Sequence, residues 1–434
     1  MDARVFLALY FVAKIGWSSF LYYLCDKQRR QELPKIVADV YDKERYEQYL
    51  LIIARERNLS RMESATKTVV DFVLLLSPFF FGVEALFGPN EYAILFGTFF
   101  VIELLYVPIT FFFDWWETFH IENDFGLNKY TREGFIGDYA SDELLSIVSM
   151  TALLGAITFV CKNFEAWVGR FGASAGSIFA AGLLLLLMFA AASLLVFLLR
   201  LKVRRAQYHV VDLPEGELRA EIESMLATCK KRVHAITVYD ESSKSTSKNA
   251  MVIRLPWYRE ITIADNYINE NDRGELIAVV AHEVGHLKHQ NHGFDWTVRS
   301  LPLIVMLFFI CVAVAWPEPL INMNSWIRAS FGLSCSSFYL DYLIFGAISY
   351  PVALILNALS NWYERKLEYE ADQEAVKAGH GDDLANMLKR AYRDELCNIN
   401  PHPFIEALEY DHPGLANRLT AIYRGMGRDD AGEE

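Results

Sequence analysis

"SIFAAGLLLLLMFAAASLLVFLLRLK", residues 177–202, carries no charge before Arg200. A helix needs about 20 apolar residues to cross a bilayer, and this run is long enough. Further apolar blocks lie near residues 4–25, 69–88, 92–115, 144–162, 301–322 and 337–360. This blocked pattern predicts a mainly α, polytopic membrane protein with seven transmembrane helices. "FGPNEY" at 87–92 separates the second and third blocks by a tight turn, so those two should form a hairpin.

Lys and Arg concentrate in "DKQRRQELPKIVADVYDKERYEQ" (26–48) and "RLKVRRAQ" (200–207). The positive-inside tendency places these links and the tail in the cytoplasm and the N-terminus outside. No cleavable signal is expected, because the first apolar run is long and lacks a small-residue cleavage pattern. The net charge of −13 speaks against nucleic acid, which needs concentrated positive charge. Six scattered cysteines without a C-x-x-C pair suggest neither a disulfide framework nor a thiolate metal site. Lys14, Asp71, Glu84, Glu103 and Asp341 fall inside the spans. Each is costly against lipid, so they should pair between helices or line a wet cavity.

The chain is expected to divide into spans one to five with their links (1–202), a cytoplasmic segment (203–300), spans six and seven (301–360) and a helical tail (361–434). In the cytoplasmic segment, "LPEGELRAEIESMLATCKKR" has helical spacing. "HAITVYD", "AMVIRL" and "EITIAD" read as short strands. They indicate a small α+β domain on the cytoplasmic side.

That domain also contains "ELIAVVAHEVGHLKHQNH", residues 275–292. His282 and His286 are four apart, so on a helix they share a face about 6 Å apart along the axis. Two imidazoles so placed can converge on one zinc. Glu283 stands beside them as general base, the H-E-x-x-H arrangement of metalloproteases. A catalytic zinc needs a third protein ligand. His292 follows at metzincin spacing, but that motif turns at a glycine where this chain has His289. Without the turn His292 lands about 9 Å too far along the helix. The stronger candidate is Glu368 in "NWYERKLEYEADQEAV" (361–376), with Asp372 four residues on to accept the free N–H of a liganding imidazole. Glu370 and Glu374 point elsewhere on the same helical wheel, and Glu364 lies a turn nearer the membrane.

Here the sequence resembles the type I CAAX prenyl proteases, integral-membrane zinc endopeptidases. The resemblance rests on the seven spans, "IENDFGLNKYT" (121–131), "LPEGEL" (213–218), "KNA" (248–250), "AHEVGH" (281–286), "RKLEYEAD" (365–372) and "HPGLANRL" (412–419). It implies helices enclosing a chamber and removal of the C-terminal tripeptide from prenylated proteins. It implies His282, His286 and Glu368 as zinc ligands, Glu283 as base and Asp372 as their outer partner. His412 and Arg418 match tail residues lining the family site, and Asn249 an asparagine beside the substrate strand. The family reads close to "HSNAY" there; this chain has "SKNAM", with Ser247 and Met251 in place of histidine and tyrosine.

The expected chemistry is zinc-assisted peptide hydrolysis. His412 is the candidate oxyanion donor. Arg418, with its rigid fork, is expected to orient a glutamate or a substrate carboxylate. A peptide would pair with the edge strand "AMVIRL". The expected partners are a prenylated or membrane-associated substrate and the bilayer, with the enzyme a monomer. The expected location is the endoplasmic reticulum membrane, or the inner membrane of a bacterium, with the site on the cytoplasmic side. Two alternatives stand beside this: a membrane quality-control protease with unlipidated clients, and a non-proteolytic scaffold or transporter built on the buried charges.

Overall fold

The computed structural model describes the chain apart from residues 1, 89, 172–174, 229–231, 255–256, 269–272, 290–297, 299, 302–304, 306–316, 335–337 and 429–434. Among the described residues the chain is mainly helical with one small sheet. Helix α1 (Ala3–Gln28) starts at Asp2, whose carboxylate accepts the Arg4 N–H at 2.8 Å. Helix α2 (Lys43–Leu76) is capped in the same way by Asp42 on Arg45, which satisfies one of the donors a helix start leaves unpaired. The second span is not straight. Ser77–Pro78 interrupts it before α3 (Phe79–Phe87), and the two helices bend by 64°. Proline lacks the N–H that would continue the ladder.

The expected hairpin is present: α3 packs on α4 (Glu91–Trp116), which runs on into a π-helical turn, Glu117–Glu122. Helices α5 (Arg132–Phe171) and α6 (Ala175–Gln207) contain the fourth and fifth blocks. The sixth block, 301–322, lies largely outside the described residues. Its last residues lie in α10 (Pro317–Phe331), and the seventh block lies almost wholly in α11 (Phe338–Lys377). Among the described residues, Ala3–Gln28, Tyr92–Glu122 and Tyr339–Lys377 are each long and apolar enough to cross a membrane, and the bent α2–α3 pair makes a fourth if counted as one span.

Several charges inside the spans are met by partners on neighbouring elements. The Tyr106 hydroxyl donates to Asp71. Buried Glu84 accepts the Ser334 N–H at 3.0 Å. The Asn324 amide donates to both Asp341 oxygens, at 2.7 and 2.8 Å. Pairing between elements therefore accounts for these three.

The segment between the fifth and sixth blocks forms a four-stranded sheet in the order β1 (Val211–Asp212), β2 (Ala235–Tyr239), β4 (Arg259–Ala264), β3 (Ala250–Arg254). Three of these are the strands read from sequence; β1 is too short to show a period. β3 and β4 form an antiparallel pair and β2 runs parallel to β4. Strand β3 is thus an edge. Its lead-in is braced by the link before α5: Asn128 bridges to Ser245, and the Lys129 N–H donates to the Lys244 carbonyl at 3.0 Å. Central β4 is buried throughout. Its Glu260 is fully buried, yet it takes hydrogen bonds from Arg205 at the end of α6, from Thr237 and from Tyr258. A buried carboxylate is tolerated when it is satisfied this way, and the contact ties the sheet to the fifth span.

The chain continues through α7 (Glu217–Ala227), α8 (Asp265–Ile268) and α9 (Arg273–His289). Beyond α11 lie α12 (Gly381–Asp394), α13 (Pro403–Glu409) and α14 (Leu415–Gly425). Helix α9 is covered on two sides. Leu276, Ile277, Val279, Val280 and Val284 pack into the core under the sheet. Ala278 and Ala281 pack into a helical core with Ala375, Leu384 and Leu419. A helix buried on opposite faces shows little amphipathic contrast, and this is the helix that holds the histidines.

Candidate metal centre

His282 and His286 lie one turn apart on α9, both buried, with ring centroids 4.7 Å apart and planes at 85°. Glu368 arrives from α11. Its Oε2 lies 3.5 Å from His282 Nε2 and its Oε1 3.1 Å from His286 Nε2. One ligand atom from each of the three falls within 4.8 Å of the others. This fits zinc. Ligands at zinc bonds of about 2.0–2.2 Å in a tetrahedral shell stand roughly 3.4 Å from each other, close to both separations seen here. The donor set, two imidazoles and one carboxylate, leaves the fourth position for chemistry.

The ligands are held from behind. Fully buried Asp372 lies 2.9 Å from His282 Nδ1. That contact fixes the ring and turns Nε2 to the metal side. Asp372 is held in turn by Arg418 on α14, whose Nε donates at 2.9 Å and Nη2 at 2.6 Å. Arg418 Nη1 also lies 3.6 Å from Glu368 Oε2. Burial alone would lower the pKa of His282, but its hydrogen bonds to the Asp372 and Glu368 carboxylates outweigh it and push the value up to about 10. Burial dominates at His286 and lowers its pKa. Burial likewise works against the Arg418 cation, yet Asp372 and Glu368 hold its pKa above the ordinary guanidinium range. The carboxylates that favour positive charge at His282 favour a metal cation there in the same way, bound through Nε2 in place of a proton.

A cleft of about 590 Å³ opens over the three ligands. Glu283, Asn249 and His412 all line it. His412 is half exposed, with Nε2 3.4 Å from Glu368 Oε1 and Nδ1 2.8 Å from Asp411. Arg418 is buried beneath the ligands, hydrogen-bonded to Asp372 with Glu368 at ion-pair distance. His289 turns away toward Glu370 and Glu374, at 3.7 and 3.4 Å. His292 lies outside the described residues. Glu370 pairs with Lys366 and Glu374 with Lys288 and Lys377, while Glu364 lines the cleft one turn above Glu368.

Two departures from the family pattern find their place. Ser247 donates its hydroxyl to Glu395 at 2.7 Å, and its carbonyl accepts from Asn266 at 2.6 Å. Met251 lines the cleft on the edge strand. The sequence reading missed Gly285. A Cβ there would meet the Ala371 Cα at 2.7 Å and its carbonyl oxygen at 3.0 Å, so only glycine lets α9 and α11 approach this closely. The signal was available: the glycine sits between the two histidines, on the side of the helix that must face the third ligand.

Comparison with known proteins matches two family models, Peptidase family M48 over residues 212–424 and CAAX prenyl protease N-terminal, five membrane helices, over residues 5–197. The CAAX prenyl protease 1 homolog of Arabidopsis thaliana is 27% identical, the alignment covering 71% of this chain and 69% of that protein. The homolog from Oryza sativa subsp. japonica is 28% identical over 71% and 68% of the two chains. Among solved structures, the crystal structure of S. mikatae Ste24p superposes with a TM-score of 0.76 at 20% identity, covering 97% of this chain and 99% of that one; at this identity the likeness speaks to the fold.

Proposed function

The chain belongs to the CAAX prenyl protease 1 family, M48 peptidases with amino-terminal membrane helices, and from that premise we propose that it removes the C-terminal tripeptide of prenylated proteins at the cytoplasmic face of its membrane. It is an integral-membrane zinc metalloendopeptidase with its metal site at His282, His286 and Glu368. The observation that carries the proposal is the juxtaposition of this triad with a cleft whose wall is the edge strand β3. Of the two locations expected from sequence, the endoplasmic reticulum membrane is the one this reading favours, since CAAX prenyl protease homologs are found in plants and fungi.

Zinc, when bound, supplies the positive charge that polarises a scissile carbonyl and makes water acidic enough to attack at neutral pH. The rest is the work of the chain. Strand β3 is the last in the sheet order, so an extended peptide pairs with Ala250–Arg254 through main-chain hydrogen bonds. Asn249, exposed at the head of that strand, is placed to bond the peptide beside the scissile position. Glu283 takes a proton from the attacking water and returns it to the leaving amine. Asp372 holds His282 in the tautomer that keeps Nε2 available, and Arg418 steadies both Asp372 and Glu368. His412 donates its Nδ1–H to Asp411, so as the imidazolium it presents a second N–H, at Nε2, to the negative oxygen that develops on the carbonyl.

Two measurements follow. His412→Ala should lower kcat by about 10²–10³-fold, the usual cost of losing one oxyanion donor, with KM and bound zinc nearly unchanged. A fall in KM-limited binding alone would remove His412 from that role. A farnesylated C-terminal peptide and its unmodified twin, assayed side by side, test the substrate class. The farnesylated peptide should be cleaved with the higher kcat/KM. Equal rates would replace the proposal with the quality-control reading, in which unlipidated membrane proteins are the clients.

A further inference from the structure

We propose that Arg365, together with Asn361, is a positioning residue that sets His412 over the metal carboxylate; this rests on the reading of His412 as the oxyanion donor. Asn361, Arg365, Glu368 and Asp372 recur at spacings of four, three and four along α11, so they form one stripe of that helix. The lower half of the stripe builds the metal site. The upper half grips the end of α13. Asn361 Nδ2 donates to the Leu408 carbonyl at 2.9 Å. Arg365 Nη1 donates to the Glu406 carbonyl at 2.8 Å and to that of Tyr410, and Nη2 to that of Ala407 at 3.3 Å. The Ala407 and Leu408 carbonyls are ones a helix C-terminus leaves unpaired, the Glu406 carbonyl also accepts the Tyr410 N–H at 3.3 Å, and a cation there complements the helix dipole.

The chain leaves this clamp at Tyr410 and reaches His412 two residues later. On the far side the loop is tied again. The Glu406 carboxylate accepts the Gly414 N–H at 2.9 Å and the Asn417 amide at 2.9 Å. His412 itself packs against little: its side chain is 59% exposed, and its polar neighbours are Asp411 and Glu368. Its place over the cleft is therefore set by the backbone that carries it. That backbone is referenced, through Arg365, to the same helix that presents Glu368. A lysine could not substitute, because one point charge cannot span three carbonyls as the planar fork does.

The test uses full-length enzyme with Arg365→Gln, His412→Ala and the double variant, measuring kcat, KM and bound zinc. Displacing a catalytic group by about 1 Å costs on the order of 10²-fold, so Arg365→Gln should lower kcat by about tenfold to a hundredfold, with KM within about twofold and zinc retained. In the His412→Ala background the same substitution should add less than about twofold, because groups that act as a unit are not additive. A full multiplicative loss in the double variant would overturn the proposal, since Arg365 would then be acting on the fold at large. Asn361→Ala removes one clamp bond and leaves the cation, and should show the same coupling in smaller measure even if Arg365→Gln fails to fold. If His412→Ala alone leaves kcat intact, the oxyanion reading fails and this proposal with it. If His412→Ala is costly and both clamp variants are harmless, only the clamp fails.

Discussion

Glu283→Gln is expected to cut kcat by about 10²–10⁴-fold, the range for losing a general base, while the protein keeps its zinc. Both halves of that outcome come from the geometry. Glu283 lines the cleft, but the metal-binding cluster is made by His282, His286 and Glu368 without it. Glutamine keeps the size and the hydrogen-bonding reach of glutamate, so the ligand helix should pack as before, and KM should hold. Only the ability to take a proton is lost. Metal analysis beside a peptide-cleavage assay reads the two halves separately. Turnover within tenfold of the parent enzyme would remove Glu283 as base. Loss of zinc would make it a ligand, and the triad would need revision. The variant also addresses the scaffold or transporter alternative, because a biological function that survives it does not depend on hydrolysis.

Much of this site was readable before any coordinates. The four-residue spacing of His282 and His286 fixes a shared helical face whatever the surroundings, and the H-E-x-x-H pattern names the chemistry. Glu368 was separable from Glu370 and Glu374 because a helical wheel sends those two elsewhere, and they are found on Lys366, Lys288 and Lys377. "AMVIRL" was expected at an edge because an extended peptide pairs with an edge strand, and the sheet order puts β3 there. What could not be read depends on contacts between segments distant in the chain. The bend at Ser77–Pro78 hides inside an apolar run of the right total length. Strand β1 spans two residues and has no period to detect. Arg418 could be given no single partner from sequence, because only the packing of α14 under α11 brings it to Asp372 and within 3.6 Å of Glu368. Gly285 looked like a spacer inside a motif, because the backbone it must clear belongs to a residue 86 positions later.

That glycine leads to the second large effect. Gly285→Ala adds one methyl group at the crossing of α9 and α11, where its Cβ would lie 2.7 Å from the Ala371 Cα and 3.1 Å from the Glu374 Cβ. The obstacle is backbone, not the end of a flexible side chain, so it cannot swing aside. Overpacking of this kind costs about 1–3 kcal/mol, and the two helices relieve it by moving apart by roughly 1 Å, a displacement worth on the order of 10²-fold in rate. The separation acts directly on the metal, because His282 and His286 stand on one helix and Glu368 and Asp372 on the other. The contacts of 3.1 and 3.5 Å from Glu368 to the imidazoles, and of 2.9 Å from Asp372 to His282, all lengthen together. Gly285→Ala should therefore lower kcat/KM by about a hundredfold and weaken zinc retention, so that the variant loses metal to a chelator concentration the parent enzyme withstands. Restored activity at raised zinc would show that the damage is to affinity. Full activity with undiminished zinc would mean that the close crossing of the two helices does not assemble the site.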